Sequence, residues 1–396
     1  MINTDSLKHN SVNVIIGPNG SGKSRLLRKL SADFLREGKK VIAIAPNIFD
    51  RFQGLPPKNL RFFGARNGKN EALHVIRDAM KKVATDNIQL AKDLSRILSY
   101  VGFEPEIGIE VCGLNIQKFN LSMDNLFGDQ NKREGINIPR PQDLNDLLST
   151  LIKWENTYKQ HGVVRLGLDS FSFNELDVLS FTKIVQYEKL LRQLGAISNI
   201  QFHLYKNGKS FHLLQACSGE LWFITTIAFI STHISTNSII VIDEPETSLH
   251  PTWQKEYIQT LLDLFHLYEP CIYISTHSPI IISGADSKRE GYIPNDLYVY
   301  EMNNGQTKPF DHKHFGLEEM YDKLFGIITP KNHYLSQRAV LLLNDLNEHK
   351  QSLDKVIEEL HLMSKRSYDS SQQEVLAKLE SMARDLFLKH GGNNHD

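Results

Sequence analysis

The chain has 396 residues, 41% of them hydrophobic and 23% charged, and a formal net charge of -1. This length allows two lobes or two domains with sizeable cores, while the balanced charge provides no overall attraction to nucleic acid. No apolar run has the length needed to cross a bilayer, and no secretory signal is evident at the N-terminus. The three cysteines lack metal-ligand spacing. These features predict a cytoplasmic protein without a membrane partner.

The first predicted elements are a strand, a glycine-rich loop and a helix. Val12–Ile16 is a short β-branched run, and residues 24–37 carry apolar side chains at helical spacing. A strand, such a loop and a helix together direct backbone N–H groups and a helix N-terminus at phosphate oxygens. The loop between them consists of Gly17, Pro18, Asn19, Gly20, Ser21, Gly22, Lys23 and Ser24, and we expect Arg25 to contact the nucleotide as well. The pattern predicts ATP binding, with Lys23 on the β- and γ-phosphates and Ser24 on Mg²⁺.

The middle of the chain predicts a mixed lobe. Residues 71–101 have the spacing of one or two amphipathic helices, and Asn207-Gly208 predicts a hairpin with a type I′ turn. The other predicted elements are strands at 41–45, 105–112 and 163–168, a polar surface loop at 117–141, a helix at 179–194 and the hairpin strands within 201–214. The absence of sustained heptads argues against a long coiled coil.

Two later segments carry the chemistry that the phosphate loop requires. The apolar strand ending at Asp243 is followed at once by Glu244, so one carboxylate can ligate Mg²⁺ while the other polarises the attacking water. The strand 271–275 is followed by His277, which could contact the γ-phosphate. A histidine after a strand is otherwise more often a capping or surface residue.

The last segment predicts a helix over 334–363 and another over 371–389. The final helix has an apolar stripe consisting of Val375, Leu376, Leu379, Met382 and Leu386. The stripe can pack on the ATPase core of its own chain, or it can dock a partner or a second copy. Both alternatives remain open from the sequence.

One basic stretch also allows two interpretations. Arg51, Lys58, Arg61, Arg66 and Lys69 alternate with Phe49, Phe52, Phe62 and Phe63. Basic residues interleaved with aromatics can bind a nucleic-acid backbone and stack bases. The adjacent phenylalanines favour the alternative, an antiparallel edge of the ATP-binding lobe with its aromatics directed inward.

Taken in order, these segments resemble the ABC-class ATPases over about residues 1–330. The phosphate loop is similar to Walker A, Ala216–Glu220 to the signature, Ile239–Asp243 to Walker B, and His277 to the switch histidine. The run Asp243–Pro251 resembles the soluble branch that includes RecF, the SMC heads and the overcoming-lysogenization-defect ATPases.

The resemblance implies a specific fold and a specific assembly. The expected fold is α/β: an ABC-type head with a RecA-like parallel sheet and an antiparallel lobe, spanning 1–330, with a helical insertion and signature lobe at 66–200 and a helical extension at 331–396. Two heads would form a homodimer that encloses two ATP molecules. The nucleotide would then contact the signature residues Cys217, Ser218, Gly219 and Glu220 of the opposite copy.

The chain departs from the family pattern at three places. Cys217 stands where the family has a serine, and a thiol is a weak hydrogen-bond donor. Gln53 is the candidate for the glutamine loop, with Asn47 as runner-up. Residues 1–16 contain no aromatic side chain to stack on adenine.

The absence of a coiled coil and of a recognisable nuclease makes the chain most similar to the ATPase subunits of bacterial anti-phage systems such as Septu. This resemblance implies a separate nuclease or effector partner, with nucleic acid contacted by that partner or by the local basic stretch. The alternatives are a nucleotide-sensing scaffold that hydrolyses ATP poorly, which Cys217 favours, and a RecF-like DNA-repair ATPase.

Overall fold

The computed structural model describes residues 10–83, 88–128, 140–158, 162–168, 175–285, 296–327, 333–367 and 370–391. The described strands are β1 Ser11–Ile16, β2 Val41–Ala45, β3 Leu60–Gly64, β4 Glu106–Cys112, β5 Val164–Gly167, β6 Asn199–Lys206, β7 Lys209–His212, β8 Ile239–Asp243, β9 Cys271–Thr276, β10 Asp296–Asn303 and β11 Gln306–Pro309. The described helices are α1 Lys23–Arg36, α2 Lys69–Val83, α3 Ile88–Val101, α4 Ile116–Gly128, α5 Pro141–Tyr158, α6 Glu175–Gln186, α7 Glu188–Gln193, α8 Ser218–His233, α9 Pro251–Phe265, α10 Pro279–Ser283, α11 Leu317–Phe325, α12 His333–Asn347, α13 Leu353–Arg366 and α14 Ser370–Gly391.

The strands form two sheets of different kinds. The larger sheet has seven strands in the order β11-β10-β1-β9-β8-β2-β3. Within it β1 pairs in parallel with β10, and β2 pairs in parallel with both β3 and β8, whereas β11 is antiparallel to β10. The smaller sheet is antiparallel, in the order β5-β4-β6-β7. The predicted α/β fold, with a mostly parallel sheet and a separate antiparallel one, is confirmed.

The chain divides into two compact units. The first comprises Met1–Leu27, Pro251–Gln259 and Tyr273–Asp396. Its strand β1 is buried along its whole length, including the polar residues Ser11 and Asn13, as expected for a parallel strand covered on both faces. Its last three described helices form a bundle around Leu342, Val356, Leu360 and Leu376.

The second unit comprises Arg28–His250 and Thr260–Ile272. Helix α8 is buried along most of its length, and helices α2 and α3 pack against it. Trp222 of α8 stacks on Phe63 of β3, with 4.7 Å between ring centroids. A helix that is apolar on all sides must lie inside the protein. The hairpin β6–β7 turns at Asn207 and Gly208, both with positive φ, so the type I′ turn is confirmed.

Three predictions on secondary structure are wrong in part. The single helix predicted over 179–194 is two helices, α6 and α7, which are separated at Tyr187. The predicted surface loop at 117–141 is helical up to Gly128, because Phe119 and Met123, four residues apart, are buried on one face of α4. Its remainder up to residue 139 lies outside the described residues. The single helix predicted over 334–363 is two helices, α12 and α13. The chain turns between them at His349, which has φ 58°, and α13 restarts after Ser352.

Among the helices of the described ranges, none combines the length and apolar character needed to span a bilayer.

Candidate functional site

The phosphate loop follows β1 directly and is shaped by its glycines. Gly20 and Gly22 have φ of 81° and 106°, values that a side chain opposes strongly. Gly17 is buried, and a methyl group on its Cα would overlap the carbonyl of Met302. The sequence therefore places glycine at the positions where the backbone must turn or make a close contact. These constraints form a loop whose N–H groups can face an anion.

The cationic side chain of the loop is already in place. Lys23 is 4% exposed, and its Nζ donates to the carbonyl oxygens of Gly17 and Pro18 at 2.8 and 3.0 Å. Ser21 is also buried, and its Oγ has no hydrogen-bond partner among the described residues. A buried hydroxyl without a partner is costly unless a ligand satisfies it. The loop thus offers an ammonium group and an unused hydroxyl, which fits a phosphate group.

A second hairpin supports the loop, and the sequence analysis missed it. Strands β10 and β11 are joined by Asn304 and Gly305, both with positive φ. The N–H of Gly305 donates to the carbonyl oxygen of Ser21 at 3.1 Å, and Gly22 lies beside the Met302 side chain. The Asn-Gly pair between two short strand patterns is a hairpin signal that could have identified this support.

The predicted switch histidine follows β9, within the same compact unit as the phosphate loop. Hydrogen bonds hold the residues before and after His277 in place. The N–H of Ser278 donates to Thr276 Oγ1 at 2.9 Å, and Ser278 Oγ donates to Gln254 Oε1 at 2.8 Å. Thr276 and Ser278 are buried, while His277 is half-buried. This arrangement holds the imidazole of His277 at the end of a buried strand.

The two adjacent carboxylates lie at the end of β8 in the second unit. Every residue of β8 is buried, and Asp243 itself is 5% exposed. Glu244 has φ 52°, in the left-handed region that costs an ordinary side chain about 1–2 kcal/mol. Its carbonyl oxygen accepts hydrogen bonds from the N–H and the hydroxyl of Thr247, at 3.2 and 2.9 Å. Strained backbone of this kind is concentrated at functional sites, because surrounding contacts must maintain it.

The residues predicted to form the signature begin helix α8. Cys217 and Ser218 are exposed, whereas Gly219 is buried. The Glu220 carboxylate accepts a hydrogen bond from the Cys217 N–H at 3.0 Å and lies 3.4 Å from Lys206 Nζ. Glu220 is therefore engaged in capping its own helix, a role that the sequence analysis did not foresee. The thiol of Cys217 and the hydroxyl of Ser218 are both exposed at the helix N-terminus.

The two candidates for the glutamine loop differ in their contacts. Gln53 is exposed, and its backbone carbonyl accepts a hydrogen bond from Arg28 Nη2 at 3.3 Å. The Asn47 side-chain oxygen accepts a hydrogen bond from the Phe49 N–H at 2.9 Å, so it closes a local turn. The structure thus gives Asn47 a structural role, whereas the Gln53 side chain projects into solvent.

The basic stretch mainly agrees with the second alternative, in which it is an edge of the ATP-binding lobe with its aromatic side chains directed inward. Phe52 and Phe63 are buried, and Arg66 forms an ion pair at 2.5 Å with buried Asp50. The edge strand here is β3, which is parallel to β2, so the predicted antiparallel edge is wrong. Phe49 differs from the other aromatics of the stretch in being 79% exposed.

Comparison with known proteins identifies one matching family. Residues 117–283 match the family model described as "AAA domain, putative AbiEii toxin, Type IV TA system". The match covers less than half of the chain, and it includes the signature, the adjacent carboxylates and His277 while leaving out the phosphate loop.

Two curated proteins are similar over shorter segments. Protein ea59 of Escherichia phage lambda is 28% identical over 114 residues, which are 28% of this chain and 21% of that protein. The Retron Vc95 probable ATPase of Vibrio cholerae serotype O1 biovar El Tor is 21% identical over 180 residues, 43% of this chain and 34% of that protein. The chain therefore spans about a fifth and a third of the lengths of these relatives.

Comparison with solved structures finds ATP-binding cassettes at low identity. One is an ATP-binding cassette of an ABC transporter in its ADP conformation, with 14% identity, a TM-score of 0.29, and coverage of 80% of this chain and 85% of that one. Another is the Smc head domain of Pyrococcus furiosus, with 11% identity, a TM-score of 0.28, and coverage of 76% and 90%. Over residues 117–283 the chain is similar to an AAA-domain family, and its α/β fold has the mostly parallel sheet that the sequence predicted.

Proposed function

We propose that this chain binds ATP with Mg²⁺ and hydrolyses it to ADP and phosphate. The observation that carries the proposal is the phosphate loop, where buried Lys23 and the partnerless hydroxyl of Ser21 lie at the start of a long helix. A helix N-terminus, an ammonium group and a free donor form an anion site with three independent contributions. No acidic side chain occurs in the loop to oppose a triphosphate.

The motif residues have separate roles in this proposal. Lys23 neutralises phosphate charge, and Ser24 and Asp243 hold Mg²⁺, which supplies positive charge to the phosphate oxygens. Glu244 accepts the proton of the attacking water. His277 contacts the γ-phosphate, so its position reports whether that phosphate is present.

Hydrolysis is tested with variants of two glutamates, Glu244 and Glu269, which both have a left-handed backbone. We expect Glu244→Gln to bind ATP but lose about 10²–10⁴-fold in turnover, since an amide cannot take the proton. Glu269→Gln is the matched control, because Glu269 is exposed and also has a left-handed backbone, with φ 49°. Phosphate release measures turnover, and a fluorescent ATP analogue measures binding. Equal turnover in the two variants would refute the base assignment.

Nucleotide binding itself is tested at the lysine. Lys23→Ala should lose most ATP affinity because the phosphate charge is no longer neutralised. Lys29→Ala, an exposed position on the same helix, should retain it. Retained affinity in Lys23→Ala would contradict the proposed loop chemistry.

We further propose that two copies enclose ATP, each contributing its signature to the nucleotide of the other. The exposure of Cys217 and Ser218 at a helix N-terminus supports this, since both groups are open to a second molecule. Ser218→Asp should prevent the ATP-dependent association by placing a carboxylate against the γ-phosphate, while remaining favourable for its own helix. Ser352→Asp at the exposed N-terminus of α13 is the matched control. Light scattering with and without ATP measures the association. If Ser218→Asp associates with ATP as strongly as wild type does, the proposal that each signature contacts the nucleotide of the other copy is wrong.

The biological setting that we propose is anti-phage defence, with a separate nuclease or effector under the control of this ATPase. Similarity to a retron ATPase supports it, and the resemblance to Septu-type ATPase subunits specifies it further. The test is plaque formation on cells that carry the chain with its neighbouring genes, comparing wild type with Glu244→Gln and Glu269→Gln. Protection that survives Glu244→Gln would show that defence does not depend on hydrolysis.

A specific observation favours a second candidate function, a nucleotide-sensing scaffold with slow turnover. Cys217 is exposed at the position where the family has a serine, so one of the two exposed signature side chains is a weak donor. A wild-type protein that binds ATP and assembles, but releases no phosphate with or without DNA, would favour the scaffold over both the ATPase and a RecF-like repair role.

A further inference from the structure

Helix α14 exposes an apolar stripe on its surface. Val375 and Met382 are 51% and 52% exposed, and Leu379 and Leu386 are half-buried. These four residues recur at spacings of four, three and four. At 100° per residue they fall within roughly 60° of the helix circumference. The spacing is that of the apolar seam of a two-stranded coiled coil.

The stripe is separate from the face that α14 uses in its own bundle. The bundle face carries Leu376 and Ala383, which are 1% and 0% exposed and pack with residues of α12 and α13. Leu379 lies between the two faces and packs partly against that core. The predicted stripe is therefore divided: one part stabilises the bundle, and the other part is open to solvent.

Charges on the solvent side of the stripe indicate what covers it. Lys378 and Asp385 both lie there, seven residues apart, and both are exposed. Within the part of the chain that the structure describes, neither forms an ion pair. In an antiparallel pair of α14 helices, Leu379 of one copy faces Met382 of the other, and Lys378 faces Asp385 at both ends. In a parallel pair Lys378 and Asp385 of the two copies lie on opposite sides of the seam, so this attraction would be lost.

We propose that α14 binds α14 of a second copy of this chain, as an antiparallel two-fold pair that forms without nucleotide. A two-fold interface uses the same surface on both copies, so it must be self-complementary. The stripe satisfies this condition because its apolar residues are symmetric about its centre and its flanking charges have opposite signs. This interface is independent of the proposed ATP-enclosing one.

The apolar part is tested by introducing one lysine at a time. Val375→Lys and Met382→Lys should each raise the dimer dissociation constant at least about tenfold, because a charge would be buried in the seam. Ala377→Lys and Ser381→Lys are matched controls on the exposed back of the same helix. Light scattering over a concentration series without nucleotide gives the mass, and circular dichroism checks that all four fold.

The antiparallel register is tested by exchanging the charges. Lys378→Asp and Asp385→Lys should each weaken the dimer about fivefold, because each replaces an attraction by a repulsion at both ends. The double variant should restore wild-type affinity, and added salt should reduce the differences. Failure of the double variant to recover would refute the antiparallel register.

The two interfaces are separated by combining variants. Val375→Lys with Glu244→Gln should be a monomer without ATP and a dimer with ATP. If the wild type is a monomer at every concentration without ATP, or if the control lysines dissociate it equally, the α14 proposal is wrong. If the combined variant stays monomeric with ATP, the ATP-enclosing dimer is wrong while the α14 pair stands.

Discussion

Asp93 makes the stability of the signature-bearing unit depend on pH. The residue lies on α3, is 1% exposed, and accepts a hydrogen bond from Gln89 Nε2 at 2.9 Å. Burial raises the pKa of Asp93 from 3.8 to about 6, despite the neighbouring Ser231 and Gln89. The folded protein therefore holds a proton that the unfolded chain releases between these two values. Stability is fully present below pH 3.8 and is lost as the pH rises through 6.

The raised pKa of Asp93 corresponds to a measurable difference in the free energy of unfolding. About 2.2 units at 1.36 kcal/mol each give about 3 kcal/mol, of which about 1.6 is lost below pH 5 and about 1.4 between pH 5 and 7.5. Asp93→Asn keeps the shape but cannot ionise, so its stability advantage over wild type should grow by about 1.4 kcal/mol across that interval. Urea unfolding followed by circular dichroism at pH 5 and 7.5 measures it. Asp78→Asn, at an exposed position on α2, should stay within about 0.5 kcal/mol of wild type at both pH values. An equal advantage of Asp93→Asn at both pH values would refute a raised pKa.

Two further predictions concern the nucleotide motifs. Gly17→Ala should abolish ATP binding and lower stability by about 1–3 kcal/mol, because its methyl group meets the Met302 carbonyl. Gly316→Ala, with φ -67° and open space, should be tolerated in the same melting and binding assays. Cys217→Ser should raise turnover about 2- to 12-fold, the range that one net hydrogen bond of about 0.5–1.5 kcal/mol provides. Cys112→Ser serves as its control, and equal turnover in the two cysteine variants would show that the thiol is not limiting.

The elements that the sequence predicted best are those whose pattern is set by burial on both faces. Apolar residues, mainly Val and Ile, predominate in strands β1, β8 and β9, and all three strands are buried along their whole length. The turn at Asn207-Gly208 was equally predictable because its residues tolerate positive φ. In each case the local sequence and the final environment impose the same conformation.

The features that the sequence pattern did not predict depend on packing contacts and on local capping. Helix α4 mixes apolar and polar residues, and burial of Phe119 and Met123 on one face stabilises it. The break before α13 is stabilised locally, since the N–H of Lys350 donates to the Asp345 carbonyl oxygen at 2.8 Å. Such boundaries follow from capping and packing rather than from periodicity.

In the candidate site, too, the sequence motifs predicted the residue types but not the backbone conformation or the contacts around them. Residue identity predicted the phosphate loop and the carboxylate pair, because their chemistry requires those side chains. It did not predict that Glu244 has a left-handed backbone, nor that Gly305 supports the loop through Ser21.

The strain at Glu244 and the thiol at Cys217 would act on different steps of the proposed cycle. A left-handed backbone at Glu244 costs about 1–2 kcal/mol, so surrounding contacts such as those of Thr247 with its carbonyl oxygen must maintain it. The thiol costs nothing in the isolated chain, because Cys217 is exposed to water there. Because a thiol is a weak hydrogen-bond donor, it would affect the reaction only after a second copy brings a phosphate within contact of it. The single chain would thus position the Glu244 carboxylate as the base. The rate of ATP hydrolysis would instead be limited by the contacts made when two copies assemble. The ratio of turnover to ATP-dependent association in Cys217→Ser is therefore the quantity that separates an active ATPase from a nucleotide-sensing scaffold.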